Sequence, residues 1–109
     1  MDGEEVRIVF LQADPMLAET YRAQLELDGY QVTVASPSDD AMQDLRSTPP
    51  DIIFLDASSG PADRRVLHGL RDDPTTGRIP VVILSNRTAG ELAQDGMALG
   101  PLDYLVPCA

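Results

Sequence analysis

The sequence predicts an α/β domain with a doubly wound parallel sheet, and three observations lead there. The run Ile52-Ile53-Phe54-Leu55 is continuously apolar rather than alternating, so the strand it forms is covered on both faces, as strands of parallel sheets are. Pro80-Val81-Val82-Ile83-Leu84 repeats that character. Strand-like and helix-like segments then alternate along the whole chain, the pattern of successive βα units joined by right-handed crossovers. The two apolar runs end in single polar residues, Asp56 and Ser85. Ligands of such sheets gather beyond the carboxyl ends of the strands, which puts Asp56 where function is expected.

In chain order, Val6 to Leu11 forms the first strand. Asp14-Pro15 starts a helix, with Asp as N-cap and Pro at the first helical position. Leu17, Ala18, Tyr21 and Leu25 share one face of it, and Gly29 ends it. Gln31-Val32-Thr33-Val34-Ala35 is a β-branched second strand. Ser36-Pro37-Ser38-Asp39 starts a short helix to about Arg46, with Ser36 as its cap, and Pro49-Pro50 leads into the strand that carries Asp56. Gly60-Pro61 marks a loop before a third helix, lined by Val66, Leu67 and Leu70 and ending near Asp72-Asp73-Pro74. After the strand ending at Ser85, a fourth helix is expected from Ala89 to Leu99 with Gly100 as its stop. Gly90 and Gly96 each cost it about 1 kcal/mol relative to Ala. Asp103-Tyr104-Leu105-Val106 is the fifth strand.

Residues 1–109 fit one domain. The formal charge of −10, from 18 acidic and 8 basic residues, argues against nucleic acid and anionic membrane as partners. All the basic side chains are Arg, and there is no lysine. Cys108 has no second cysteine to pair with and reads as a plain thiol. No segment has the length and apolarity of a membrane span, and Met1-Asp2-Gly3-Glu4-Glu5 is acidic where a signal peptide is basic, so a cytoplasmic setting is expected.

Ala13-Asp14-Pro15, Pro50-Asp51-Ile52-Ile53-Phe54-Leu55-Asp56, Ile79-Pro80-Val81-Val82-Ile83-Leu84-Ser85, and Gly100 followed by Asp103-Tyr104-Leu105-Val106 together resemble the receiver domain of two-component response regulators. The likeness runs from Val6 to Val106. It implies a flavodoxin-like five-stranded sheet in the order 2-1-3-4-5. It also implies that Asp56 is the phosphoacceptor of a histidine kinase, that Ser85 contacts the phosphoryl group and that Tyr104 is the switch aromatic. Two parts of the family pattern are replaced. Gln12 and Ala13 stand where an acidic pair would hold Mg²⁺, with Asp14 one residue late, and Pro107 stands where a lysine would neutralise the phosphoryl group. Arg87 is the nearest substitute cation in sequence.

These departures matter because phosphoryl transfer depends on positioning and charge neutralisation. One reading is a pseudo-receiver, a non-enzymatic interaction module with a degenerate phosphorylation pocket. The other is a working phosphoacceptor in which Asp56 and Asp14 hold Mg²⁺ weakly. A third, an aspartate-nucleophile phosphohydrolase, needs a second Asp two residues after Asp56, and Ser58 is there. Plainer readings stand beside these: Asp56 as a polar strand end, Ser85 as a loop cap, Tyr104 as a partly exposed sheet residue, His68 as a surface side chain. The family's fifth helix is missing from the pattern. The face over the third to fifth strands is therefore expected to be open to a protein partner or a second copy of the chain.

Overall fold

The computed structural model describes residues 6–57 and 61–107. Its elements are β1 (Arg7–Leu11), α1 (Pro15–Leu27), β2 (Gln31–Ala35), α2 (Asp39–Ser47), β3 (Ile52–Asp56), α3 (Pro61–Asp72), β4 (Val81–Ser85), α4 (Ala89–Gln94) and β5 (Asp103–Pro107). The strands form one parallel sheet in the order β2-β1-β3-β4-β5. The doubly wound fold and the strand order are those expected.

Strand side chains alternate between the two faces of the sheet. On one face Leu11, Ile53, Leu55, Val81 and Ile83 pack with Ala41, Met42 and Leu45 of α2, Val66, Leu67 and Leu70 of α3, and Leu92 of α4. On the other face α1 brings Ala18 and Tyr21 over β1, the Tyr21 ring lying 5.1 Å from that of Phe10. Register places Val34, Phe10, Phe54, Val82 and Tyr104 in one row across all five strands. Exposure climbs along that row from 0% at Phe10 to 58% at Tyr104. α1 contacts β1 and β2, and at the far edge of the same face Tyr104 and Val106 of β5 are exposed. Among the described residues the exposed part of this open face is apolar.

Several boundaries differ from the sequence expectation. The cap of α2 is Ser38, whose hydroxyl accepts from the Ala41 N–H at 3.2 Å, and not Ser36. With Asp39 and Asp40 in the first turn, the helix starts where negative charge meets its free N–H groups. Pro61 is the first residue of α3 rather than part of a loop. β4 starts at Val81, because Pro80 has no N–H to give the ladder. α4 stops at Gln94, five residues before Leu99. Gly96 takes φ +83° there, and the Met97 N–H turns back to the Leu92 carbonyl at 2.8 Å, so Gly96 rather than Gly100 ends the helix. Gly100 instead closes the turn into β5, receiving the Asp103 N–H at 3.1 Å. Ser58, Gly60 and Cys108 lie outside the described residues.

α4 is short and depends on its start. The Thr88 hydroxyl accepts from the Glu91 N–H at 3.1 Å, and the Glu91 carboxylate accepts from the Thr88 N–H at 2.8 Å, a reciprocal capping box. The backbone hydrogen bond from Thr88, followed by that of its side chain, holds the Glu91 carboxyl below its ordinary range. A carboxyl with a lowered folded pKa stabilises the fold above its unfolded pKa and loses that contribution as pH falls through the folded value. Acidification below the ordinary glutamate range should therefore fray α4 before the sheet. Amide exchange at Glu91 and Leu92 followed from pH 6 downward, with Glu91→Gln as the reference, checks this, and equal acid sensitivity in the variant would contradict it.

Candidate functional site

The carboxyl ends of β1, β3 and β4 bring Gln12, Asp56 and Ser85 into one region of the sheet. Leu11 pairs with Leu55, so the next residues in register are Gln12 and Asp56. The Gln12 amide Nε2 donates to Asp56 Oδ2, and its Oε1 accepts from the Asp14 N–H at 3.0 Å. Gln12 is 5% and Asp56 3% exposed, so this contact is made away from water. Asp14 itself is exposed, and its Oδ1 accepts from the Met16 and Leu17 N–H groups at 2.9 and 3.5 Å as the N-cap of α1. Sequence reasoning treated Gln12 only as a missing acid. A register count from Leu55 would have revealed it as the neighbour of Asp56.

Ser85 is buried at the end of β4, and its Oγ accepts from the Arg87 N–H at 3.0 Å. The hydroxyl therefore caps the loop and retains its own proton for donation. The Arg87 guanidinium reaches the Ala57 carbonyl at 3.3 Å, one residue beyond Asp56, and pairs with Asp95 at the end of α4. Arg87 thus lies near the Asp56 end of the sheet, with its guanidinium engaged by the Ala57 carbonyl and Asp95. Tyr104 stands apart from this cluster on the open face, in register with Val82.

A second network lies behind α4. Arg64 Nη1 donates to the Asp95 carbonyl at 3.1 Å, His68 Nε2 meets the Gly96 carbonyl at 2.7 Å and Arg71 Nη1 donates to the Ala98 carbonyl at 2.7 Å. These three side chains occupy successive turns of one face of α3 and hold the carbonyls left free where α4 ends. Because Gly96 O only accepts, His68 carries a proton on Nε2. Arg71 also pairs with Asp103 at the start of β5, and partial burial lowers its pKa from the usual value. His68 is a surface residue, as read from the sequence, and it also tethers the α4–β5 loop.

No group of three or more His, Cys, Asp or Glu side chains suited to a metal ion occurs among the described residues. A groove of about 480 Å³ between α2 and α3, lined by Met42, Arg46, Arg65 and Val66 among others, does not include Asp56 or Ser85. No helix among the described residues is long and apolar enough to cross a membrane.

No family model matches the chain. Among curated proteins it is 30% identical over 105 residues to the probable transcriptional regulatory protein TcrX of Mycobacterium tuberculosis, covering 95% of this chain and 44% of that one. It is 29% identical over 101 residues to the phosphate regulon transcriptional regulatory protein PhoB of Rhizobium meliloti, covering 92% of this chain and 44% of that one. The chain thus spans less than half the length of these relatives. Among solved structures, the N-terminal domain of a response regulator receiver protein from Methanoculleus marisnigri is 26% identical, with a TM-score of 0.76 over 94% of this chain and 84% of that one. The receiver domain of the sensor histidine kinase PA1611 from Pseudomonas aeruginosa, solved with a magnesium ion in its active-site cleft, matches with a TM-score of 0.78 at 20% identity, covering 94% and 84% of the two chains. With the strand order, the buried aspartate at the end of β3 and relatives that are response regulators, the chain belongs to the receiver domains of two-component signal transduction.

Proposed function

We propose that this receiver domain works as a pseudo-receiver, an interaction module that signals through protein contacts on the open face of β3, β4 and β5. The observation that carries the reading is the row Phe54–Val82–Tyr104, which with Val106 leaves apolar side chains on an edge strand, Tyr104 at 58% and Val106 at 41% exposure. Exposed apolar area of this kind marks a contact surface. The chain's charge of −10 disfavours a second copy on that face and favours a partner whose apolar stripe is flanked by basic residues. The reading places the module in the cytoplasm, with no nucleic acid contact of its own and no turnover of substrate. Tyr104→Lys with Val106→Lys should abolish binding of an apolar fluorescent dye while changing folding stability by no more than about 0.5 kcal/mol. Undiminished dye binding by a folded double variant would overturn the surface assignment.

A second reading, phosphorylation of Asp56 by a histidine kinase, is supported by the burial of Asp56 and Ser85 at neighbouring strand ends and by Arg87 at the Ala57 carbonyl. Intact mass after incubation with a small phosphodonor and Mg²⁺ decides between the two. The pseudo-receiver reading expects no adduct. A single phosphoryl adduct on the wild type that is absent from Asp56→Ala would replace it with the second reading.

A further inference from the structure

A carboxamide has one end that donates two hydrogens and one that only accepts. Gln12 uses both ends: Oε1 faces the Asp14 N–H at 3.0 Å and Nε2 faces Asp56 Oδ2. Reversing the amide would set oxygen against carboxylate and NH₂ against N–H, so its orientation follows from the chemistry of its neighbours. The backbone adds a further restraint, since the Gln12 N–H continues the β1 ladder to the Ala35 carbonyl at 3.0 Å. Both partners of the contact are at least nine-tenths buried, which strengthens a hydrogen bond to a charged acceptor.

A divalent cation such as Mg²⁺ requires oxygen lone pairs around it. At Asp56 the Gln12 side chain presents hydrogens instead, and Asp14 Oδ1 is committed to the cap of α1. These residues do not fit the metal. We infer that Gln12 is a built-in substitute for the cation: its amide NH₂ holds the Asp56 carboxylate in one orientation and closes the corner that a metal would enter. Gln12 is thus a positioning residue for Asp56. The inference rests on Asp56 being the counterpart of the receiver phosphoacceptor, although the hydrogen bond itself does not.

The test is nuclear magnetic resonance on the full chain, with Mn²⁺ as the probe. In the wild type, the Gln12 side-chain NH₂ should exchange slowly with solvent, and Asp56→Ala should speed that exchange about tenfold or more. Substoichiometric Mn²⁺ should not selectively broaden the Leu55 and Ala57 amides. Gln12→Glu, which exchanges the NH₂ for an oxygen, should bind Mn²⁺ about tenfold or more tighter than the wild type, with broadening centred on Asp56. Adding Asp56→Ala to it should remove that gain. Selective Mn²⁺ broadening around Asp56 in the wild type, or fast exchange of the Gln12 NH₂, would overturn the inference, and both readouts need no variant to fold. A folded Gln12→Glu without the gain would overturn it too. A phosphoryl adduct formed without Mg²⁺ would defeat the pseudo-receiver reading and leave Gln12's role standing. Wild-type Mn²⁺ binding at Asp56 without any adduct would do the reverse.

Discussion

Phe10→Ala is expected to lower the unfolding free energy by about 3–5 kcal/mol, the cost of removing a buried aromatic and leaving its cavity. Phe10 is fully buried, and its ring lies 5.1 Å from that of Tyr21 and 5.7 Å from that of Phe54. It is the only residue of the cross-sheet row that α1 covers completely, so it joins that helix to the row on which the open face is built. Set against a total stability of about 5–15 kcal/mol for an ordinary domain, the loss takes a large share of the fold. Urea denaturation should show the midpoint falling steeply, and Phe10→Leu, which keeps most of the volume, should lose less than about 2 kcal/mol. If Phe10→Ala cost less than about 1 kcal/mol, α1 would not be seated on β1 through this ring.

Arg71→Ala should cost about 2–3 kcal/mol, because it leaves the Asp103 carboxylate and the Ala98 carbonyl without the guanidinium that serves both. The Asp103 side chain is 5% exposed, and in the variant it keeps the Gly100 N–H at 2.8 Å as a hydrogen-bond donor. Arg71 is about one-third exposed, which keeps the expected cost below that of breaking a fully buried pair. Arg71→Lys should restore only part of it, since an ammonium cannot present the same rigid fork to a carbonyl and a carboxylate at once. The effect bears on function through β5, which Asp103 begins and which carries Tyr104 and Val106. Hydrogen exchange should therefore show β5 losing protection ahead of β1 and β3. In a double-mutant cycle with Asp103→Asn, additive losses would mean that the ion pair contributes nothing of its own.

Much of the fold was legible because local chemistry repeats it. Asp14-Pro15 starts a helix whatever lies elsewhere in the chain, and the continuous apolar runs ending at Asp56 and Ser85 mark inner strands of a parallel sheet. Misjudged ends were places where two local signals competed. Ser36 and Ser38 are both capable caps, and the chain uses the one followed directly by two aspartates. Gly96 and Gly100 can both end a helix, and the fold assigns the first to the end of α4 and the second to the turn before β5.

The candidate site divides in the same way. Sequence alone determined that two apolar strands end at Asp56 and Ser85 and that these 109 residues include no lysine. Only the tertiary structure decided that the Gln12 amide faces Asp56 across a separation of 44 residues, and that Arg64, His68 and Arg71, while open to water, also hold carbonyls beyond the end of α4. Polar side chains on a helix read as a solvated face from their own segment. Their partners are carbonyls freed where another helix stops, and which carbonyls those are depends on how the crossovers pack against the sheet.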